Sequence, residues 1–178
     1  VMLADALQCI EHHEYEKSLV ITSRLLDVSP RHTGALRCRA TALGEMLKRT
    51  ATRIEPIFRD AMIAEKQILS LTDEQSVDHI DALARRTETS LEYMKRMGMQ
   101  ILADRDKVSS LFEDLNKALQ LDSKHLKSRL LRAKLYELLG KPEMATADCT
   151  QVLDGLTAQV KADGVRKLDS AGSRQRLE

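Results

Sequence analysis

Apolar residues recur every three or four positions along most of the chain, in runs that break at short polar turns. Leu111, Leu115 and Ala118 share a face that stops at Asp122-Ser123-Lys124, a second run ends at Gly140, and a third restarts at Pro142. Side chains three and four apart lie on one side of an α-helix, so this spacing predicts amphipathic helices joined by tight turns. Near the start, Met2, Ala6, Cys9 and Ile10 form one such face. Ser18, Leu19, Thr22, Leu25 and Leu26 form the next, with His12-His13-Glu14-Tyr15 as the turn between them. Pro30 then closes the pair, because proline cannot continue a helix.

The middle of the chain is stretched. Leu36, Ala40 and Leu43 predict a first helix whose partner begins near Pro56, where proline is tolerated at the opening position, and carries Phe58, Ala61, Ile68 and Leu71. Lys48 to Pro56 adds about nine residues, predicting a long turn. Thr72-Asp73-Glu74-Gln75 reads as a capping box. From there only Gly98 interrupts the pattern before Asp104, which predicts a helix of roughly 30 residues, ~45 Å long. Val77, Ile80, Ala84, Leu91, Met94 and Ile101 fall on a seven-residue seam, with Thr87 and Gly98 at its remaining places. Ile54, Ile57, Ala61, Ala64, Ile68 and Leu71 fall on another, so 54–101 is expected to form an antiparallel helical hairpin. Whether the two seams satisfy each other or form a protruding contact arm is left open by the pattern.

The helix–turn–helix unit at 111–154, with small residues Ala6, Ala40, Gly98 and Ala133 where two helices must approach closely, resembles the tetratricopeptide (TPR) repeat. The resemblance is strongest in the first unit (Ala6, Tyr15, Pro30) and the last (Ala133, Tyr136, Gly140, Ala145, Cys149, Val152). It implies an all-α fold, a right-handed superhelical array of antiparallel helix pairs with about four units, an elongated central hairpin and a C-terminal capping helix. The expected units are 2–32, 33–72, 73–123 and 124–155, with a cap at 156–169 carrying Leu156, Val160 and Leu168, all in one domain. A flexible tail is expected at 170–178. In the third unit, Met94, Met97, Gly98 and Ile101 take the first-helix places.

In TPR proteins the first helix of each repeat lines a concave groove for peptides or partner helices. Carried onto this chain, the groove places fall on Leu3 and Leu7, then Arg37, Cys38 and Thr41, then Lys95 and Met99, and finally Lys127, Leu131 and Lys134. Arg37, Thr41, Lys95, Met99, Lys127 and Lys134 are the partner-binding candidates. They suit an acidic or C-terminal carboxylate peptide with an apolar anchor. Co-chaperone members grip such tails with a clamp of Lys and Asn, then Asn, then Lys and Arg. Lys127 fits one of its places, but Leu3, Leu7, Cys38 and Leu131 stand where polar residues belong, and an aliphatic chain offers a carboxylate no hydrogen bond.

Composition narrows the function. Basic and acidic residues nearly cancel (28 against 27), which argues against phosphate-backbone or anionic-membrane binding. No apolar run reaches membrane-spanning length. Low glycine and proline content favours helix over disorder, and the few aromatics (Tyr15, Phe58, Tyr93, Phe112, Tyr136) leave packing to Leu, Met and Ala. Cys9, Cys38 and Cys149 have no paired spacing and are expected to be reduced and half-buried, in a cytoplasmic or nuclear compartment. No phosphate loop, metal-ligand spacing or nucleophile motif is found, so catalytic residues, metal and cofactor are all expected to be absent. Adjacent side chains in His12-His13-Glu14 diverge on a helix, and Asp78-His79 with Asp81 reads as an exposed helix face.

The leading expectation is therefore a non-catalytic protein-interaction scaffold, a module of a larger chain. The alternatives are a self-associating spacer or homodimer through the 54–101 hairpin, and a chaperone-associated module.

Overall fold

Helix periodicity is realised throughout. The computed structural model describes residues 1–50, 52–99 and 104–174, and among them every regular element is a helix. In order these are α1 (Met2–Glu11), α2 (Tyr15–Val28), α3 (Thr33–Arg49), α4 (Ile54–Leu71), α5 (Val77–Arg96), α6 (Arg105–Leu121), α7 (Leu126–Leu138) and α8 (Pro142–Arg174). None of the described helices is long and apolar enough to cross a membrane. The chain divides into two compact units, Val1–Ser123 and Lys124–Glu178.

The turns repeat as the helices do. α1, α5 and α7 each end at a left-handed residue, His13 (φ 62°), Gly98 (φ 62°) and Gly140 (φ 67°). After each, an amide bonds back five residues: Glu14 to the Cys9 carbonyl, Met99 to Met94 and Lys141 to Tyr136, at 2.8–2.9 Å. This is the Schellman closure, which satisfies helix-end carbonyls and favours glycine at the left-handed position. The helices between them end differently. α2, α4 and α6 finish in Ser29, Thr72 and Asp122, whose amides still close on the helix while the chain turns outward.

In the first unit, α1 packs on α3 and α3 on α5, while α2, α4 and α6 pack against their sequence neighbours. Ala6, Ala40, Ala82 and Ala84 are buried where these helices meet. Leu36, Ala40, Ala64, Ile68 and Ala82 form one apolar cluster, and Ile80, Leu83 and Ala118 another. Leu36, Leu47, Ile68 and Leu115 are almost fully buried, each worth about 1.5–3 kcal/mol in transfer terms. Polar contacts give α3 and α5 their relative direction. Arg37 pairs with Asp78, Lys48 pairs with Glu88, and Arg96 Nη1 donates to the Thr50 carbonyl (2.9 Å), so the two run parallel.

Several expectations change. Thr72 does not open a 30-residue helix. Its hydroxyl donates to the Ile68 carbonyl and terminates α4, while Ser76 caps α5 by accepting from the His79 amide (3.2 Å). α5 has 20 residues and stops at the glycine closure, so Gly98 and the exposed Met97 fall outside the helix; Ile101 lies outside the described residues. The third unit's first helix is α5 as a whole. Most of the expected long turn after Lys48 is also absent, because α3 continues through Lys48 and Arg49, cations that suit a helix C-terminus, and α4 already begins at Ile54. The hairpin seams are buried at Ala61, Ala64, Ile68, Ile80, Ala84, Thr87, Leu91 and Met94, but Val77 is 72% exposed.

In the second unit, α7 packs on α8 through Ser128, Leu131, Ala133 and Leu135. α8 runs unbroken through 156–169, so the expected cap continues α8 instead of forming a separate helix. It also takes in the first residues of the expected tail, and 175–178 lie outside the described residues.

Candidate functional site

The candidate face in the first unit is the one formed by α1, α3 and α5. On α3, Arg37, Thr41, Glu45 and Lys48 follow one another at three- and four-residue steps, a single row on the helix. On α5, Asp78, Asp81, Arg85, Glu88, Glu92 and Lys95 form the matching row. The two rows meet. Arg37 Nη1 lies 2.5 Å from Asp78 Oδ1, and Lys48 Nζ lies 2.9 Å from both Glu88 and Glu45. Arg37 and Asp78 are 45% and 35% exposed, so their attraction is screened and worth about 0–1 kcal/mol.

Each expected site residue has a definite place. Arg37 is exposed, and Thr41 donates its hydroxyl to the Arg37 carbonyl at 2.9 Å. Lys95 is exposed in the last turn of α5. With α3 and α5 parallel, Arg37 sits beside the start of α5 and Lys95 near its end, about 25 Å along the face. Met99 is half-buried in the closing turn beyond α5. Lys127 and Lys134 belong to the second unit, half-buried and exposed, two turns apart on α7 and so about 10 Å apart on one side.

Of the apolar groove places, Leu7 is 43% exposed, while Leu3 is half-buried and lies 3.0 Å from where a side chain on Gly34 would begin. Cys38 (2% exposed) and Leu131 (8%) are core residues, so neither is presented to a ligand.

Two readings of local chemistry are corrected. His79 is buried, not exposed, with Nδ1 3.2 Å from the Thr72 hydroxyl, where it ties the start of α5 to the end of α4. Among the cysteines only Cys9 is half-buried; Cys38 is buried and Cys149 exposed. Burial pushes the Cys38 thiol up from its ordinary range, with nearby Arg37 opposing it in part. Only thiolate reacts readily, so Cys149 should alkylate first, Cys9 more slowly, and Cys38 only once the chain unfolds. Mass-mapped iodoacetamide labelling checks this order, and prompt labelling of Cys38 in the folded chain would contradict it. His13, in its left-handed turn, places Nδ1 2.9 Å from the Tyr15 hydroxyl, and among the described residues no group of three His, Cys, Asp or Glu is arranged to hold a metal.

The acids of this face escaped the family register. Asp78 and Glu88 complete the α3–α5 rows, and their charge periodicity was visible in the sequence, but the helix they pair with was not.

No protein-family model matches the chain, and no curated protein matches it. Among solved structures, it is similar to "MamA RS-1 ArsTM double mutant", with a TM-score of 0.65 at 11% identity over 89% of this chain and 75% of that one. MamA is a TPR-like helical-repeat protein, and the likeness establishes that repeat fold here.

Proposed function

We propose that this chain is a non-catalytic protein-interaction module that holds a peptide or helix of another protein against the α1–α3–α5 face. The supporting observation is the arrangement of that face: parallel helices carry two rows of side chains in register, joined by solvent-exposed ion pairs of small net worth. Apolar contact is offered at one end by Leu7, and positive charge at the other by Lys95. In the second unit, considered by itself, Lys127 and Lys134 offer positive charge on one side of α7. The ligand that suits these groups is an acidic segment, or a chain terminus, with an apolar anchor.

Charge reversal tests the reading. The triple variant Lys95→Glu, Lys127→Glu, Lys134→Glu should keep its helical circular dichroism and lose most partner recovery in affinity purification. Undiminished recovery of the same partners would defeat it. The spacer or homodimer reading has less support, because the hairpin seams that suggested it are occupied within the chain.

A further inference from the structure

The first unit carries a second groove, on α4 and α5 and away from the rows just described. Phe58, Met62 and Ile63 of α4 and Tyr93 of α5 form its apolar surface. The Phe58 and Tyr93 rings stack with centroids 4.0 Å apart and planes 12° from parallel, giving one continuous aromatic surface across two helices. Both rings remain only half-buried, and Ile63 is 50% exposed.

Charge separates this groove from its neighbour. Around the aromatic pair stand Arg59, Lys66 and Arg86 against a single carboxylate, Glu55. Arg86 is committed: its Nε donates to Asp114 at 2.6 Å and its Nη2 to the other oxygen. Arg59 and Lys66 are exposed, and neither makes an ion pair or hydrogen bond among the described residues. The Tyr93 hydroxyl makes no hydrogen bond among them either. The adjacent groove, on the other flank of Ile63, reverses the balance, with Asp27 and Asp60 against Arg39. Apolar surface and unspent positive charge therefore coincide on one side of Ile63 only.

We propose that this groove is a docking site, distinct from the α1–α3–α5 face, for an amphipathic helix of a partner protein that presents an apolar anchor flanked by carboxylates. The stretch of α4 from Glu55 to Lys66 is about 17 Å long, three turns of a docked helix. Arg59 and Lys66 are seven residues apart, two turns on one side of α4. They match carboxylates spaced two turns apart on the ligand, with its apolar residues between them over Phe58, Met62 and Tyr93. Ion pairs formed at the rim of an apolar contact add selectivity for the acidic ligand more than raw affinity.

The test is an NMR titration of the whole chain with two synthetic helical peptides. Both carry the same leucine and phenylalanine anchor face; one has glutamates seven residues apart beside it, and its twin has lysines there. The glutamate peptide should shift the Met62 and Ile63 methyl and Tyr93 ring signals with a Kd of about 100 µM or tighter, and the lysine twin should bind at least about tenfold more weakly. Because Phe58→Ala risks the fold, the variant is the exposed pair Arg59→Glu with Lys66→Glu, which should reverse the preference. The Lys95, Lys127 and Lys134 charge-reversal variant should bind the glutamate peptide unchanged, so failure here and failure of the first face are distinguishable. Equal binding of both peptides, or no shifts at millimolar peptide, overturns the proposal. So do peptide-free shifts that grow with protein concentration, which would assign the groove to a second copy of the chain.

Discussion

Replacing Glu65 by alanine should destabilise the first unit by about 3–5 kcal/mol. Glu65 is 1% exposed in the middle of α4 and accepts from Arg85 of α5, at 2.8 Å from Nε and 3.4 Å from Nη2. The Arg85 side chain is itself only 14% exposed, so removing the carboxylate strands a guanidinium with little access to water. That stranded charge, more than the lost attraction, sets the size of the effect. Arg37–Asp78 supplies the contrast: it is similarly short but open to solvent, and breaking it should change stability by less than about 1 kcal/mol. Removing both partners, as Glu65→Leu with Arg85→Met, should recover most of the loss or exceed the starting stability, because an apolar pair of similar volume needs no desolvated charge. Urea denaturation followed by helical circular dichroism measures all three. A single variant within 1 kcal/mol of the parent, or a double no better than the single, would show that Glu65 is not a buried charge in balance.

Features close in sequence were legible, and those joining distant helices were not. The faces of α1, α2 and α6 and the closure at Gly140 follow from periodicity and from glycine's freedom in the left-handed region. At Gly98 the signal was present too, with Lys95 and Arg96 in the last turn and glycine just beyond, but the seven-residue seam running on toward Ile101 outweighed it. Thr72 and Ser76 both fit a helix start. The choice rests on the Thr72 hydroxyl bonding back to Ile68, a contact decided by the end of α4 and not by the residues that follow. Arg37 was legible as a candidate from the repeat register alone, but Asp78, which pairs with it, lies 41 residues away, a separation at which a lone sequence carries no pairing information. Phe58 shows the same limit. Its spacing placed it on the apolar face of the second helix of its pair, whereas its stack on Tyr93 leaves it half open and makes the α4 groove aromatic.

In the second unit, Asp148→Ala should cost about 3 kcal/mol, the lower end of the range for a broken buried pair. Asp148 is 3% exposed and accepts from Arg132 Nε and Nη2, both at 2.7 Å, a two-point fork that a planar guanidinium suits. Arg129 Nη1 stands 3.6 Å away. The hydrogen bond to Asp148 is also the largest influence raising the Arg132 pKa, and a guanidinium is basic enough to stay charged even when that partner is removed. Two arginines then stand close together without the carboxylate that lay between them. Their side chains are 21% and 16% exposed, and that partial access to water keeps the expected loss below that for Glu65. Asp148→Asn separates charge from shape: the amide keeps one acceptor oxygen but turns a donor toward a guanidinium, so it should recover less than half of the loss. Hydrogen exchange in α7 reads the effect directly, because this ion pair joins α7 to α8 beside the buried Ser128, Leu131, Ala133 and Leu135. Faster exchange throughout α7 in Asp148→Ala is the expected result, and protection equal to the parent would show that apolar packing alone holds the pair. Because α7 carries Lys127 and Lys134, the same variant should weaken partner capture without touching either lysine. A loss of binding there counts toward those lysines only when the helix is shown to be intact.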